Sequence, residues 1–236
     1  MRWSPQQEDA LRAVAEWLRR GDSPVFRLFG FAGTGKTTLA KHIAEDIDGK
    51  VAFAAFTGKA AHVLRSKGCE GAGTIHSLIY RPRAGEDEEQ PVFAINHDSA
   101  ASEAELIIID ECSMVDEELG RDLLSFGTPV LVLGDPAQLP PVKGGGFFTE
   151  AEPDAMLTEV HRQAQDNPII RLSMDVREGR PLALGSYGES RIIGRRDIDA
   201  AQILESDQVL VGTNKTRRAY NQRIRELKGL LSPMPA

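Results

Sequence analysis

Short apolar runs alternate along the chain with segments in which apolar residues recur every three or four positions. The clearest recurrence covers residues 5–20, where the spacing of Ala10, Val14 and Trp17 predicts a helix that Ser4 can cap. Further helices are predicted at residues 37–47 and 59–66. Buried strands are predicted for four apolar runs, at residues 24–29, 51–56, 106–109 and 129–133.

Strands and helices therefore alternate through the first two thirds of the chain, and polar residues cluster where the predicted strands end. Such alternation predicts an α/β fold, with a doubly wound parallel sheet that carries helices on both faces. In folds of this kind, ligands bind at the carboxyl ends of the strands. We therefore expect the functional residues to lie in the loops that follow the predicted strands.

The pattern changes in two places. Residues 81–105 contain a run of acidic residues that indicates a solvated segment, and residues 91–95 suggest one arm of a small hairpin, so we interpret 81–105 as an insertion. After three successive glycines, at 144–146, a second region begins. Its predicted elements are a helix at 167–177, a strand at 208–212 and a basic helix at 215–228. Two strands or fewer make a poor independent sheet, so this second region looks incomplete.

Composition narrows the function classes. Of 236 residues, 41% are apolar and 27% charged, as in ordinary globular proteins, and no apolar run approaches the ~20 residues of a membrane span. The first residues have no apolar signal core, so we expect a cytosolic protein. Cys69 and Cys112 do not form a Cys-x-x-Cys pair, which argues against a zinc site. The net charge of −7 argues against a broad basic surface but is compatible with a local basic groove.

A glycine-rich segment directly follows the first predicted strand. Residues 30–37 read Gly-Phe-Ala-Gly-Thr-Gly-Lys-Thr, the P-loop pattern, in which backbone N–H groups turn inward around phosphates. Lys36 would reach the β- and γ-phosphates and the Thr37 hydroxyl would coordinate Mg²⁺. A glycine-rich turn that merely precedes Lys-Thr is the alternative, but the flanking strand and helix favour a nucleoside triphosphate. The predicted nucleotide-binding residues are Gly30, Ala32, Gly33, Thr34, Gly35, Lys36, Thr37 and Thr38.

Two adjacent acidic residues, Asp110 and Glu111, end the third predicted strand. An acid in this position can hold the water shell of Mg²⁺, and the next acid can orient and deprotonate an attacking water. Taken alone, the pair could instead cap a helix. With a P-loop in the same predicted sheet, hydrolysis is favoured over phosphoryl transfer to a small molecule.

Further short motifs follow one another along the chain. They are Ser-Pro-Gln-Gln-Glu-Asp-Ala at 4–10, Phe-Thr-Gly-Lys-Ala-Ala at 56–61, Thr-Ile-His-Ser at 74–77, Gly-Asp-Pro-Ala-Gln-Leu-Pro-Pro at 134–141 and Leu-Thr-Glu-Val-His-Arg-Gln at 157–163. Together with the P-loop and Asp110-Glu111, their order resembles superfamily 1 DNA helicases of the RecD-like and Dda-like branch, superfamily 1B. The resemblance runs from about residue 3 to 225, and the motif at 134–141 is its most specific part.

The resemblance implies two RecA-like domains, the first at 1–155 with the insertion at 81–105, and a partial second at 156–236. It implies ATP and Mg²⁺ as cofactors, with Gln7 reading adenine and Gln138 sensing the γ-phosphate. Arg162 would reach across the cleft and stabilise charge on the transferring phosphoryl group, although in isolation it would be read as a solvated arginine. The implied catalytic set is Lys36, Asp110, Glu111, Gln138 and Arg162.

Single-stranded DNA is the partner that the resemblance implies, held by the motifs at 56–61 and 74–77. Phe56 would stack on a base, unless it belongs to the core, and His76 would hold phosphate, unless its role is structural. In relatives, the insertion carries a hairpin that splits the duplex; here it is short and acidic. The implied DNA-binding residues are Phe56, Thr57, Lys59, Thr74 and His76.

The leading interpretation is an ATP-hydrolysing motor on single-stranded DNA, monomeric, with 5′-to-3′ movement implied by the resemblance. The family's later motifs do not follow residue 225, so we expect a fragment of a longer helicase. An ATP- or DNA-binding fragment without autonomous unwinding is the first alternative. A P-loop phosphotransferase acting on a small molecule is the second. Repair, recombination, conjugation and phage replication all remain open as pathways.

Overall fold

A computed structural model describes residues 2–82, 93–141, 144–159 and 167–230. The chain forms two compact units, Met1–Arg171 and Leu172–Ala236. The strands of the first unit are β1 (Val25–Gly30), β2 (Val51–Ala55), β3 (Gly73–Thr74), β4 (Tyr80–Pro82), β5 (Phe93–Ile95), β6 (Leu106–Asp110), β7 (Val130–Gly134) and β8 (Ala155–Leu157).

Six of these strands form one parallel sheet in the order β3-β2-β6-β7-β1-β8. The predicted parallel α/β sheet is therefore confirmed, and the four strands predicted from apolar runs are its central members. The two edge strands, β3 and β8, were not predicted. They have two and three residues, too few to form an apolar run, and they exist because a neighbouring strand pairs with them.

The helices of the first unit are α1 (Pro5–Arg20), α2 (Lys36–Glu45), α3 (Gly58–Ser66), α4 (Ile75–Ile79), α5 (Ala100–Glu103) and α6 (Glu117–Leu124), with a 3₁₀ turn at Cys112–Met114. The sequence explains why α1 has the predicted bounds. Ser4 caps its first turn, and Gly21 ends it in the left-handed conformation at φ 62°.

The core lies on both faces of the sheet, as β6 shows most clearly. Ile107 and Ile109 face a cluster that includes residues of α4 and α6, whereas Leu106 and Ile108 face a cluster that includes residues of α1 and α2. Because alternate side chains of a strand point to opposite faces, an unbroken apolar run is what a sheet covered on both sides requires.

The insertion begins with an antiparallel hairpin, in which β4 pairs with β5. Phe93–Ile95 is thus a hairpin arm, as the apolar residues there suggested; the acidic run lies outside the described residues. The predicted domain boundary at 155/156 falls inside β8, which pairs with β1, and the two compact units instead divide after Arg171.

The elements of the remaining chain are α7 (Pro168–Arg177), within which the two units divide, β9 (Gly185–Tyr187), β10 (Ser190–Ile192), a 3₁₀ turn at Arg195–Asp197, α8 (Ala200–Glu205) and α9 (Asn214–Leu227). β9 and β10 form a two-stranded antiparallel sheet. No described residue from 172 to 230 is buried. The prediction of a strand at 208–212 is wrong, because within the described part of the chain this segment pairs with no strand. No helix in the described ranges is long and apolar enough to cross a bilayer.

Candidate functional site

A cleft of about 530 Å³ opens at the carboxyl ends of the strands, where the loops after β1 and β6 meet the start of α2. Most of the residues predicted to bind the triphosphate therefore share one cavity with Asp110 and Glu111, at the carboxyl ends of the strands. The lining residues are Phe31, Ala32, Gly33, Gly35, Lys36, Thr37, Thr38, Ala60, Val63, Lys67, Asp110 and Glu111.

The loop before α2 has the backbone of a phosphate cradle. Gly33 and Gly35 adopt φ 80° and 84°, which glycine tolerates without strain. Gly35 caps α2 without any side-chain hydrogen bond, so no capping side chain competes with a ligand for the N–H groups at the start of the helix. A Cβ on Gly30 would lie 2.7 Å from the carbonyl oxygen of Leu157, which excludes larger residues there.

The Lys36 ammonium donates hydrogen bonds to two carbonyl oxygens of the same loop, those of Gly30 at 2.6 Å and Phe31 at 3.1 Å. It is half-buried and lines the cleft. A bound phosphate would offer this cation a charged acceptor in place of neutral carbonyl oxygens, and charge-assisted hydrogen bonds are the stronger kind.

The Thr37 hydroxyl lies 3.2 Å from a carboxylate oxygen of Asp110, although the two residues are 73 positions apart. Hydroxyl and carboxylate oxygens are ligands that Mg²⁺ accepts, and this ion usually keeps waters and substrate phosphates as its other ligands. The Thr37 and Asp110 oxygens therefore fit a magnesium ion whose other ligands are waters and the phosphates of a nucleotide.

Glu111 is the non-glycine residue with a positive φ, 56°, among those described. The carboxyl group lines the cleft beside Asp110. Reduced hydration raises the pKa of Glu111 above its ordinary value, and the Asp110 charge adds to this, while a hydrogen bond from Gln138 and the Lys36 charge lower it. The left-handed conformation costs free energy in a residue other than glycine, and residues held in it are found preferentially at functional sites.

Gln138 lies in the loop after β7 and lowers the pKa of Glu111 through a hydrogen bond. It also contacts Ser113, whose hydroxyl donates to the Gln138 amide oxygen at 3.2 Å. Sequence reasoning found Gln138 but missed Ser113. In the sequence, the signal for Ser113 was its place two residues after Glu111. Its contact with Gln138 joins loops that leave two neighbouring strands, and local sequence does not show which strands are neighbours.

Gln7 is 3% exposed, and its side chain is engaged on two sides. Its amide oxygen accepts from the Ser4 N–H at 3.0 Å, and its amide nitrogen donates to the Thr34 carbonyl at 3.0 Å. Adenine reading by Gln7 stays a prediction; the contacts present tie α1 to the phosphate loop. The Ser4-x-x-Gln7 capping box was a sequence signal for the first of these bonds.

Gln6, which the sequence did not single out, makes a second tie. Its amide oxygen accepts from the backbone N–H groups of Thr158 at 2.7 Å and Glu159 at 3.0 Å. Its amide nitrogen donates to the Thr158 hydroxyl at 3.1 Å. The start of α1 therefore holds the segment that leaves β8. Arg162, three residues further along, lies outside the described residues.

Of the five residues proposed for DNA, Thr74 ends β3 and the other four follow β2 or β3. These two strands are neighbours at one edge of the sheet, so the five residues lie at that edge. Thr57 caps α3 and Thr74 caps α4, so both hydroxyl groups also have structural partners. Phe56 is half-buried against the core, with its ring 6.5 Å from that of His76. Lys59 is exposed at the start of α3. Their contact with DNA stays a prediction.

A protein-family model described as an AAA domain matches residues 2–196, more than four fifths of the chain. The chain belongs to this AAA domain family. The match includes the whole of the parallel sheet and the cleft at its carboxyl edge.

This AAA domain is similar to two curated helicases. It is 38% identical over 168 residues to the ATP-dependent RecD2 DNA helicase of Deinococcus radiodurans, covering 67% of the chain and 22% of that protein. It is 34% identical over 189 residues to the ATP-dependent DNA helicase dda of Enterobacteria phage T4, covering 74% of the chain and 42% of that protein. The chain thus spans less than half the length of either relative. The resemblance to the RecD-like and Dda-like branch is confirmed.

A Bacteroides Pif1 helicase, solved in complex with ADP-AlF3 and ssDNA, superposes on this chain with a TM-score of 0.56 at 22% identity. The match covers the full chain and 58% of that structure. At such low identity, the likeness establishes the fold alone. The AAA domain is accordingly an α/β P-loop fold homologous to ATP-dependent DNA helicases.

Proposed function

We propose that this chain is the ATPase module of a superfamily 1B helicase, hydrolysing ATP with Mg²⁺ to move on single-stranded DNA. One observation carries the proposal. Lys36, the Thr37–Asp110 pair and Glu111 line a single cleft, although they come from two different loops of one sheet. Gln138, from a third loop, lowers the pKa of Glu111 through a hydrogen bond. Unwinding of duplex DNA, and movement in the 5′-to-3′ direction, are further parts of the proposal that rest on the resemblance.

Binding would begin with the triphosphate. The first N–H groups of α2 and the Lys36 ammonium supply positive charge to the phosphates, and the narrow turn at Gly33 and Gly35 lets the backbone approach them. Thr37 and Asp110 would hold magnesium, which would supply positive charge to the phosphate oxygens. These residues would therefore hold the triphosphate at the loop.

Hydrolysis needs a base and an oriented water. Glu111 lines the same cleft, and its carboxylate would accept a proton from the water that attacks the terminal phosphorus. The bond from that phosphorus to the bridging oxygen would break, and ADP would leave. The raised pKa of Glu111 makes it a stronger proton acceptor than an ordinary glutamate. Gln138 contacts that carboxylate and is exposed toward solvent, so its neutral amide can also reach a phosphate oxygen without repelling it.

The second candidate function is nucleotide or DNA binding without useful turnover. It is favoured by one observation, that no described residue between 172 and 230 is buried. A unit without a buried core gives little rigid support to groups that a motor must move. Under this alternative the first unit still binds ATP, because its cleft is built from the sheet of that unit alone.

The test is ATP hydrolysis by the 236-residue chain, with and without single-stranded DNA. We expect DNA to stimulate hydrolysis. Turnover that ignores DNA would contradict the motor, and tight nucleotide binding without turnover would establish the second candidate instead.

Two variants assign the roles. Lys36→Ala should weaken nucleotide binding about 100-fold, the equivalent of one charged hydrogen bond at the upper end of its range. Glu111→Gln should retain binding and lower kcat by about 10²–10⁴-fold. Lys50→Ala and Glu103→Gln are the matched controls, because Lys50 and Glu103 form an exposed ion pair with each other outside the cleft. An unchanged rate in Glu111→Gln would refute its assignment as the base.

A further inference from the structure

Ser113 is a buried hydroxyl that the proposed mechanism does not use. It is 3% exposed and lies in the 3₁₀ turn Cys112–Met114, directly after Glu111. Its hydroxyl oxygen lies 3.2 Å from the amide oxygen of Gln138, which is 25 residues away in the chain. A serine hydroxyl could serve as donor or acceptor, so the direction of this bond depends on what holds the rest of the Gln138 amide.

The geometry gives that direction, because the Ser113 hydroxyl donates to the amide oxygen of Gln138. With its oxygen held by the serine, Gln138 has its NH₂ group left to donate, and a carboxylate such as that of Glu111 is an acceptor. A hydrogen bond from Gln138 lowers the pKa of Glu111, in agreement with an NH₂ group on that side.

The two loops are held at a set distance by packing next to this hydrogen bond. They leave β6 and β7, which pair in parallel through Ile109 and Val132. A Cβ on Gly134 would lie 2.7 Å from the sulfur of Cys112, so the Cys112 side chain packs directly on the Gly134 backbone where the loops begin. This packing holds together the two loops that carry Ser113 and Gln138.

We propose that Ser113 is a positioning residue, which fixes the orientation of the Gln138 amide so that its NH₂ group stays free to donate to the Glu111 carboxylate. Gln138 is exposed, so without the serine hydroxyl its amide can rotate and turn its oxygen toward Glu111. Two acceptors would then face each other. The expected effect of Ser113 on the hydrolysis rate rests on the proposed function. The orientation of the Gln138 amide does not, because it can be measured in the protein without nucleotide.

The first experiment reads the amide directly. Side-chain ¹⁵N–¹H signals of Gln138, assigned with Gln138→Ala, are compared between the wild-type chain and Ser113→Ala without nucleotide. We expect the pair of signals to move toward the values of a freely hydrated amide. Signals that stay in place would overturn the proposal whether or not the chain hydrolyses ATP.

The second experiment measures steady-state hydrolysis. Ser113→Ala should lower kcat about fivefold, the rate equivalent of one neutral hydrogen bond, with KM for ATP changed less than about twofold. Ser113→Thr, which keeps the hydroxyl, should restore at least half of the wild-type rate. In a Gln138→Ala background, Ser113→Ala should have no further effect, because the two residues act as one unit.

Thr128→Val is the matched control. Thr128 is also buried, and its hydroxyl donates to the Ala101 carbonyl at 2.8 Å. It lies before the start of β7 and away from the cleft. It should leave kcat unchanged. If the wild-type chain has no DNA-stimulated hydrolysis, the proposed function fails and the amide signals decide the inference alone. If the wild type is active and Ser113→Ala has the same kcat, the inference fails and the proposed function stands.

Discussion

The two compact units of this chain differ in how they hold their apolar residues. In the first unit, Ile108 of β6 is 0% exposed and both faces of the sheet are covered by helices. In the second, Leu210 is 83% exposed and Leu184 69%, and no described residue is buried. The cleft residues belong to the first unit, where the strands that carry them are held in place by packing. The site, in which side-chain polar atoms lie near 3 Å from their partners, thus belongs to the unit whose strands and helices pack around a buried core.

The largest expected effect tests that difference in packing. Ile108→Ala should lower the free energy of unfolding by about 2–5 kcal/mol, because it leaves a cavity between the sheet and its helices. Leu210→Ala should change it by less than about 0.5 kcal/mol, since that side chain is exposed. Urea unfolding, followed by circular dichroism, measures both. Similar losses in the two variants would contradict the comparison.

Nucleotide should act on one unit only. With ATP and Mg²⁺ at about 100 times Kd, the first unit should gain about 2.7 kcal/mol by mass action. Hydrogen exchange should slow in the phosphate loop and α2, and stay unchanged across residues 172–230. Lys36→Ala, with its Kd raised about 100-fold, should reduce the gain to about 0.4 kcal/mol at the same ATP concentration. Equal slowing in both units would show that nucleotide orders the whole chain.

A smaller effect is expected at the hairpin of the first unit. The Tyr80 hydroxyl donates to the Asp122 carboxylate, so Tyr80→Phe should cost about 1.5 kcal/mol at neutral pH. Burial and this hydrogen bond raise the pKa of Tyr80 above its ordinary value. A raised phenol pKa means that the folded state favours the protonated form, so its contribution is complete below about pH 10 and is lost as pH rises further.

Unfolding free energies measured from pH 7 to 11 test the sign. The wild type should lose its advantage over Tyr80→Phe as pH rises above 10. The control is Tyr187→Phe in the second unit, where Tyr187 donates to the Ala183 carbonyl at 2.9 Å. A gap between wild type and Tyr80→Phe that widens with pH would refute the assignment.

The smallest effect is expected in the second unit. Arg180 pairs with Asp175 at 2.7 Å and also contacts Glu178, but its side chain is 52% exposed. Solvent screens exposed ion pairs, so Arg180→Ala should lower stability by about 0.2–1 kcal/mol. Thermal unfolding at low and high salt measures it, and the difference between variant and wild type should shrink at high salt. A loss as large as that of Ile108→Ala would mean that this unit depends on few, strong contacts.

Local patterns predicted the first unit well because several signals agreed at each element. The helix at 5–20 has a serine cap, a proline in its first turn and a terminal glycine. The central strands are short apolar runs flanked by turn residues. The strand predicted at 208–212 had the same apolar run, yet it pairs with nothing in the described structure. Strand propensity depends on a partner, whereas a capped helix satisfies its own backbone.

The sequence by itself determined the phosphate loop, the acidic pair after β6 and the alternation of strands and helices, because each depends on residues adjacent in the chain. Only the tertiary structure decided that Thr37 meets Asp110, that Ser113 holds Gln138 and that Gln6 holds the segment after β8. These contacts join residues separated by 73, 25 and 152 positions. Their geometry follows from the order of strands in the sheet, and local spacing carries no information about which loops become neighbours.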